Sequence, residues 1–269
     1  AGAITLGADS IFNVVGTQLT VSGVIQDGVG TYGITKNGNG KLILSGANTY
    51  DGTTAIADGS LRASHNTALG ATTGNTTVAA EAALELIDGI TIASGEDLTL
   101  IGIGEDTTGA LRNISGDNIY NGNISLSNSP VRINSDSGTL TIGGTISNGA
   151  IGLTFGGAGD ITVNGVIGDG AGNIAKDGAG TLLLSANNTY TGQTNINAGT
   201  VSITHNNALG TTGGATIIAS GASLSISNDI TSPENITING TGISSNGAIR
   251  NTANDNTLTG LITLGANSE

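Results

Sequence analysis

The sequence predicts an all-β chain wound as a right-handed parallel β-helix (β-solenoid), with about 20 residues per coil. Three observations carry this reading. A 35-residue stretch recurs at a constant offset of 140: residues 36–70 and 176–210 are identical at 18 of 35 positions. Short alternating apolar segments recur at a much shorter step. The residues that open them are Leu140, Ile161, Leu182, Val201 and Leu224, and earlier Leu19, Leu42, Leu61 and Leu84. The steps are 21, 21, 19 and 23 in the later set and 23, 19 and 23 in the earlier one, so the pair 19-then-23 occurs in both. Finally, the chain has 46 Gly but only 2 Phe, 4 Tyr and no Trp or Met. A thin coil can be filled by Leu, Ile, Val and Ala, whereas a compact globule of 269 residues ordinarily uses large aromatics.

Taken in order, the chain opens with GAITLGADS at 2–10 and closes with GLITLGANS at 260–268, and GNISL stands at 122–126. A single solenoid over 1–269 therefore divides into units 2–121 and 122–259, with a third beginning at 260–269. The first unit holds LTVSGVI at 19–25 once; the second holds two counterparts, at 140–146 and 161–167. One extra coil in the second unit is expected, because each coil of a solenoid touches chiefly its neighbours and tolerates such an insertion. Ala3–Leu6, Leu42–Leu44, Ile124–Leu126, Leu224–Ile226, Ile236–Ile238 and Leu261–Leu264 alternate aliphatic with Thr, Ser or Ile. Period-2 alternation places one set inside and the other outside. Gly, Asn, Asp and Ser between these segments suit tight corners. Residues 78–87 include AAEAA, a helix-forming run, but the equivalent 216–226 reads TIIASGASLSI. Equivalent coils share a conformation, so strand and turn are expected in both. Pro130 and Pro233 read as loop punctuation.

The repeated stretch also carries a resemblance. Gly178-Ala-Gly180, Leu182-Leu-Leu184, Asn188-Thr-Tyr190-Thr-Gly192, Thr194-Asn-Ile196, Ala198-Gly199 and Val201-Ser-Ile203 resemble the autotransporter-associated β-strand repeat, or passenger-associated transport repeat. The first copy presents Gly38, Gly40, Leu42, Leu44, Asn48, Thr49, Tyr50, Gly52, Thr54, Ile56 and Gly59, and departs at Asp58 and Arg62. The resemblance implies a bacterial surface-exposed or secreted β-helical passenger, and it implies no catalytic residue.

Composition excludes several classes. Cysteine is absent, which removes disulfides, thiol chemistry and Cys-ligated metal. The net charge is −13 with 7 Lys+Arg, and the acids are scattered, so neither nucleic acid nor an anionic lipid surface finds a basic footprint. No run approaches the ~18 apolar residues of a membrane span. The start lacks a basic stretch followed by an apolar one, so the chain reads as a mature or excised segment, with further coils expected on both sides.

Each candidate for chemistry has a plainer structural alternative. His65 and His205 occupy the same H-N-x-A-L-G context, one in each copy of the repeat; without a second ligand nearby they read as corner residues bonded to the turn. Asn48, Asn66, Asn188, Asn206 and Asn207 read as corner residues that tolerate the left-handed region and bond to the coils above and below, rather than as sugar ligands. Tyr50, Tyr190 and Tyr120 read as packing groups rather than a carbohydrate platform. Arg112 and Arg250, each followed five residues later by Asp117 and Asp255, read as a recurrent surface ion pair. Asp160 in GGAGDITV resembles part of a calcium-binding nonapeptide but stands alone. Thr139-Leu-Thr141 is isolated, against an ice-binding array. No catalytic, cofactor-binding or metal-ligating residue is therefore assigned. The sequence predicts a structural, extracellular, non-catalytic rod: an adhesin or autotransporter passenger segment or stalk. The alternatives are a self-assembling fibre subunit, or a β-helix that binds or degrades polysaccharide. The partners implied are neighbouring coils, a further copy, or a host or cell-surface receptor or glycan. Nucleic acid and membrane insertion are not implied.

Overall fold

A computed structural model of the chain describes residues 2–168 and 170–265. Every strand pairing among these residues is parallel, and consecutive strands along the chain stand on different sheets. The result is a three-faced β-solenoid. Face II is a single sheet of twelve strands running from Gln18–Val21 to Ile262–Leu264. Face I holds eight strands from Ser10–Asn13 to Ile167–Gly168, and Thr231–Ser232 paired with Thr257–Leu258 lies further along it. Face III begins with Ile4–Thr5 on Ile25–Gln26 and resumes as eight strands from Thr91–Ile92 to Ile249–Asn251. No helix among the described residues is long and apolar enough to cross a membrane.

The expected register holds. Leu140 stacks on Ile161, Ile161 on Leu182, Leu182 on Val201 and Val201 on Leu224. Leu19, Leu42, Leu61 and Leu84 stack likewise. Following face II from Leu19 to Leu264 takes eleven steps, so the mean coil is slightly longer than the sequence spacing suggests. The longer mean comes from corners: the step from Leu84 to Leu111 contains an outward excursion with a 3-10 turn at Glu105–Thr107, and its counterpart sits at Ile243–Ser245. Residues 78–87 form strand, turn and strand as expected, with Thr76–Val78 and Ala83–Leu86 on two faces.

The two repeats are equivalent in sequence but do not share a face. Ile34–Asn37 and Lys41–Leu44 lie on faces I and II; Ile174–Lys176 and Thr181–Leu184 lie on faces II and III. The constant offset between the copies is thus six coils plus one face. The unit openings behave the same way: Ile4–Thr5, Ile124–Leu126 and Ile262–Leu264 fall on faces III, I and II. The second unit has one coil more than the first, formed where Leu140 and Ile161 stack. Residues 266–268 of the closing match lie outside the described residues.

The core is a continuous, chiefly aliphatic column from Leu6 to Ala248, with Tyr50, Tyr120, Phe155 and Tyr190 among its members. Its stability is distributed, each fully buried Leu, Ile or Val contributing about 1.5–3 kcal/mol. Exposed Ile11, Val15 and Leu19 sit in the first coil, and Leu261, Ile262 and Leu264 in the last, where a neighbouring coil lies on one side only.

Candidate functional site

The most ordered polar chemistry lies at the repeated corners, where the chain turns without a strand. Asn48 Oδ1 accepts from the Ile25 N–H at 2.9 Å, and its Nδ2 donates to Ala68 O at 2.7 Å. Asn188 repeats this with Ile167 N–H at 2.8 Å and Ala208 O at 2.6 Å. Each amide joins the coil before to the coil after, as expected. Asn66 and Asn206 accept from the Thr91 and Thr231 N–H groups. The expected left-handed backbone is not found at these positions; among asparagines it occurs at Asn128, Asn228 and Asn254. The amides stand in for absent strand partners, a task that needs only ordinary backbone geometry. His65 and His205 each accept through Nδ1 from the N–H two residues on, at 3.2 Å, which is the corner role expected. Among the described residues no three His, Asp or Glu gather as a metal site.

Tyr50, Tyr120 and Tyr190 are fully buried, so none offers a platform for a sugar. Their hydroxyls enter an internal polar system that was not foreseen. Tyr50 shares a hydrogen bond with Thr54 (2.6 Å); Thr54 stacks in register on Thr76; Thr76 Oγ donates to Glu96 Oε1 at 2.7 Å. Tyr190, Thr194, Thr216 and Glu234 repeat it, with hydrogen bonds of 2.8 and 3.0 Å and the same threonine stacking. Burial pushes the Glu96 carboxyl up to about 8, with Asp97 adding to the effect, and the Glu234 carboxyl up to about 7. Burial also raises the three tyrosine hydroxyls.

Two lysines point inward as well. Lys36 stacks between Phe12 and Ile56, and Lys176 between Phe155 and Ile196. Lys36 Nζ donates to Gly38 O and Asp58 O at 2.6 and 2.8 Å. Lys176 Nζ donates to Asp177, Gly178 and Ala198 carbonyls at 2.6, 2.9 and 3.3 Å. Burial lowers the pKa of both, that of Lys176 to about 8, while Asp58 and Asp177 oppose the shift. Gly199 closes the second cage at φ +68, and a Cβ there would stand 2.8 Å from Nζ. Period-2 parity from Ile34 and Ile174 was the signal that both lysines face inward.

The outer surface carries most of the charge. On face II, Arg62, Glu85 and Arg112 stack in register. Glu85 accepts from Lys41 at 2.9 Å and Arg62 at 2.7 Å, and Arg112 reaches Asp136 at 2.5 Å. Arg132 makes a bidentate pair with Asp177. This corrects the expected Arg112–Asp117 and Arg250–Asp255 pairs. Asp117 instead accepts from the Thr139 N–H, and Arg250 makes no ion pair among the described residues. The reason is the register: an outward side chain meets residues one coil away, as Arg62 meets Glu85, or two coils away, as Lys41 meets Glu85 and Arg132 meets Asp177, not the residue five positions on. Aspartates also serve the backbone. Asp9, Asp97, Asp117, Asp160 and Asp229 each accept an N–H from the next coil, and paired backbone donors from Asp51 and Tyr32 hold the Asp27 carboxyl below its ordinary pKa. Asp160 thus caps a strand. Thr141 stacks on Thr162, but Leu183 follows and breaks the hydroxyl column.

The acidic lining of one surface depression does not recur in the second copy. A hollow of about 440 Å³ is lined by Asp58, Glu81, Glu105 and Asp106 beside Asn39 and Ile103. The second copy keeps the backbone, with Gly104 and Gly242 at φ +83 and +81, but has Ala198, Gly221, Ile243 and Ser244 in place of the four acids. The hollow is acidic and has no cationic lining residue, so it repels an acidic polysaccharide.

Comparison with known proteins returned one family. The passenger-associated-transport-repeat model matches residues 34–63 and 174–203. Searches of curated proteins and of solved structures each returned no match. Both matched segments coincide with the turn-and-strand corners built around Asn48 and Asn188. The chain therefore carries two passenger-associated transport repeats within one β-solenoid, and repeat and fold together fit an autotransporter passenger.

Proposed function

We propose that this chain is a structural, non-catalytic segment of a bacterial autotransporter passenger, displayed at the cell surface or released from it, where it serves as an adhesin stalk or spacer. The observation that carries this reading is the recurrence of the corner chemistry. Asn, Thr, Glu and Lys candidates occur twice in equivalent roles that join one coil to the next, and the His and Tyr candidates occur twice in equivalent roles within their corners. Groups that act on a substrate converge once, in one cleft. Neighbouring coils, a further copy, or a receptor or glycan along its side are the partners this role implies.

The acidic hollow is the place to test it. The purified chain, offered neutral and acidic polysaccharides, is expected to release no reducing ends above background. Turnover that disappears in Glu81→Gln or Glu105→Gln would overturn the structural reading. Location is tested on the full-length protein in intact cells: surface protease is expected to reach residues 1–269, and protection in intact but not lysed cells counts against display.

A further inference from the structure

We propose that Glu96 and Glu234 are pH-sensitive locks placed at the junctions between repeat units, holding each junction closed in mild acid and loosening it as the medium turns neutral to alkaline. The geometry is duplicated. Each glutamate is 2% exposed and accepts one hydrogen bond from an inward threonine of the preceding coil. Each lies beneath the glycine that opens the following unit: a Cβ on Gly122 would stand 1.8 Å from Glu96 O, and one on Gly260 2.0 Å from Glu234 O. The next coil therefore closes directly on the acid, and a side chain at that glycine would hold it off.

The surroundings decide which form is held. Facing Glu96 are Tyr50, Tyr120, which donates to Glu96 O at 2.9 Å, and the neighbouring Asp97. Facing Glu234 is Tyr190; the position equivalent to Tyr120 is Leu258. No lysine or arginine pairs with either acid among the described residues. A buried carboxylate without a cation is strongly disfavoured, and the neutral acid is the form the fold accepts. The folded pKa thus lies above the unfolded value. Between about 4.5 and 7–8 the folded junction binds more protons than the opened one, so stability falls as pH rises through that window and is flat above it. In a solenoid such a loss stays local, because each coil depends on its neighbours alone.

The test is hydrogen exchange by segment on the whole chain, corrected for intrinsic rates, at pH 5.5 and 8.5. The wild type is expected to show opening constants that rise about tenfold or more at 76–100 and 216–238, since a shift of one unit already gives that factor, with little change at 131–163. Glu96→Gln and Glu234→Gln, which keep an acceptor for the threonine, are expected to flatten the rise, each at its own junction. An unchanged rise in the variants, or a rise equal along the whole chain, overturns the proposal. The carboxyl carbons of wild-type glutamates, followed by NMR titration, give a second reading that does not depend on the variants folding. Two carboxyls titrating near neutrality support the locks, and none above the ordinary glutamate range refutes them.

Discussion

Asn48 and Asn188 show at the residue scale how a corner without strands is held. Each supplies one acceptor and one donor to backbone groups of two different coils, and all the atoms involved are buried. Asn188→Ala would strand the Ile167 N–H and the Ala208 carbonyl. The expected loss is about 2–6 kcal/mol, since each of the two buried unsatisfied groups costs about 1–3 kcal/mol. Asn188→Asp keeps the acceptor but loses the donor and buries a charge, and is expected to be no better. Urea unfolding checks both, and a loss under 0.5 kcal/mol, on the order of a surface change, would contradict the bridging role. These roles were legible because they depend on local corner chemistry that repeats. Lys176 and Glu234 were not, because a buried ionisable group is the exception to the rule that polar residues stay outside.

Between elements, the stacking distance leaves room for backbone and little else. A Cβ on Gly165 would lie 1.8 Å from Gly144 O. Gly165→Ala is therefore expected to cost more than the 0.5–1 kcal/mol that glycine's own flexibility would return, for a net loss of roughly 1–3 kcal/mol, readable as a shift in thermal midpoint. The face II charges form a second set of links between elements. Glu85 is buried while Lys41 and Arg62 remain partly in solvent. A double-mutant cycle on Arg62→Ala and Glu85→Ala is expected to give a coupling of about 1 kcal/mol, shrinking at high salt. A coupling insensitive to salt would mean that packing rather than charge joins the pair.

For the molecule as a whole, quasi-one-dimensional stacking predicts tolerance of a change that a globule would not survive. Ile142 and Val163 are register partners, so deleting residues 143–163 removes one coil and joins Ile142 to Asn164 in phase. The shortened chain is expected to remain folded, with unchanged circular dichroism per residue. Small-angle scattering should show a rod of on the order of 60 Å shortened by one strand spacing of about 4.8 Å. Loss of the folded state would show that distant coils depend on one another.

What the sequence determined by itself is the kind of structure: strand alternation, corner residues and a coil-length repeat are local, and they agreed from one copy to the next. It also determined the stacking partners, because Leu182, Val201 and Leu224 recur at steps that only neighbouring coils can satisfy. What the tertiary structure alone decided is where each copy points. Coil length varies, the coil from Leu42 to Leu61 being much shorter than the one from Leu84 to Leu111, so an offset in sequence does not convert into an angle around the axis. The two transport repeats consequently present different faces, and Arg112 and Arg250, equivalent in sequence, lie on faces II and III with different neighbours. The charge pairs follow from that rotation, since an outward side chain meets whichever residues the next coil or the one beyond it brings near.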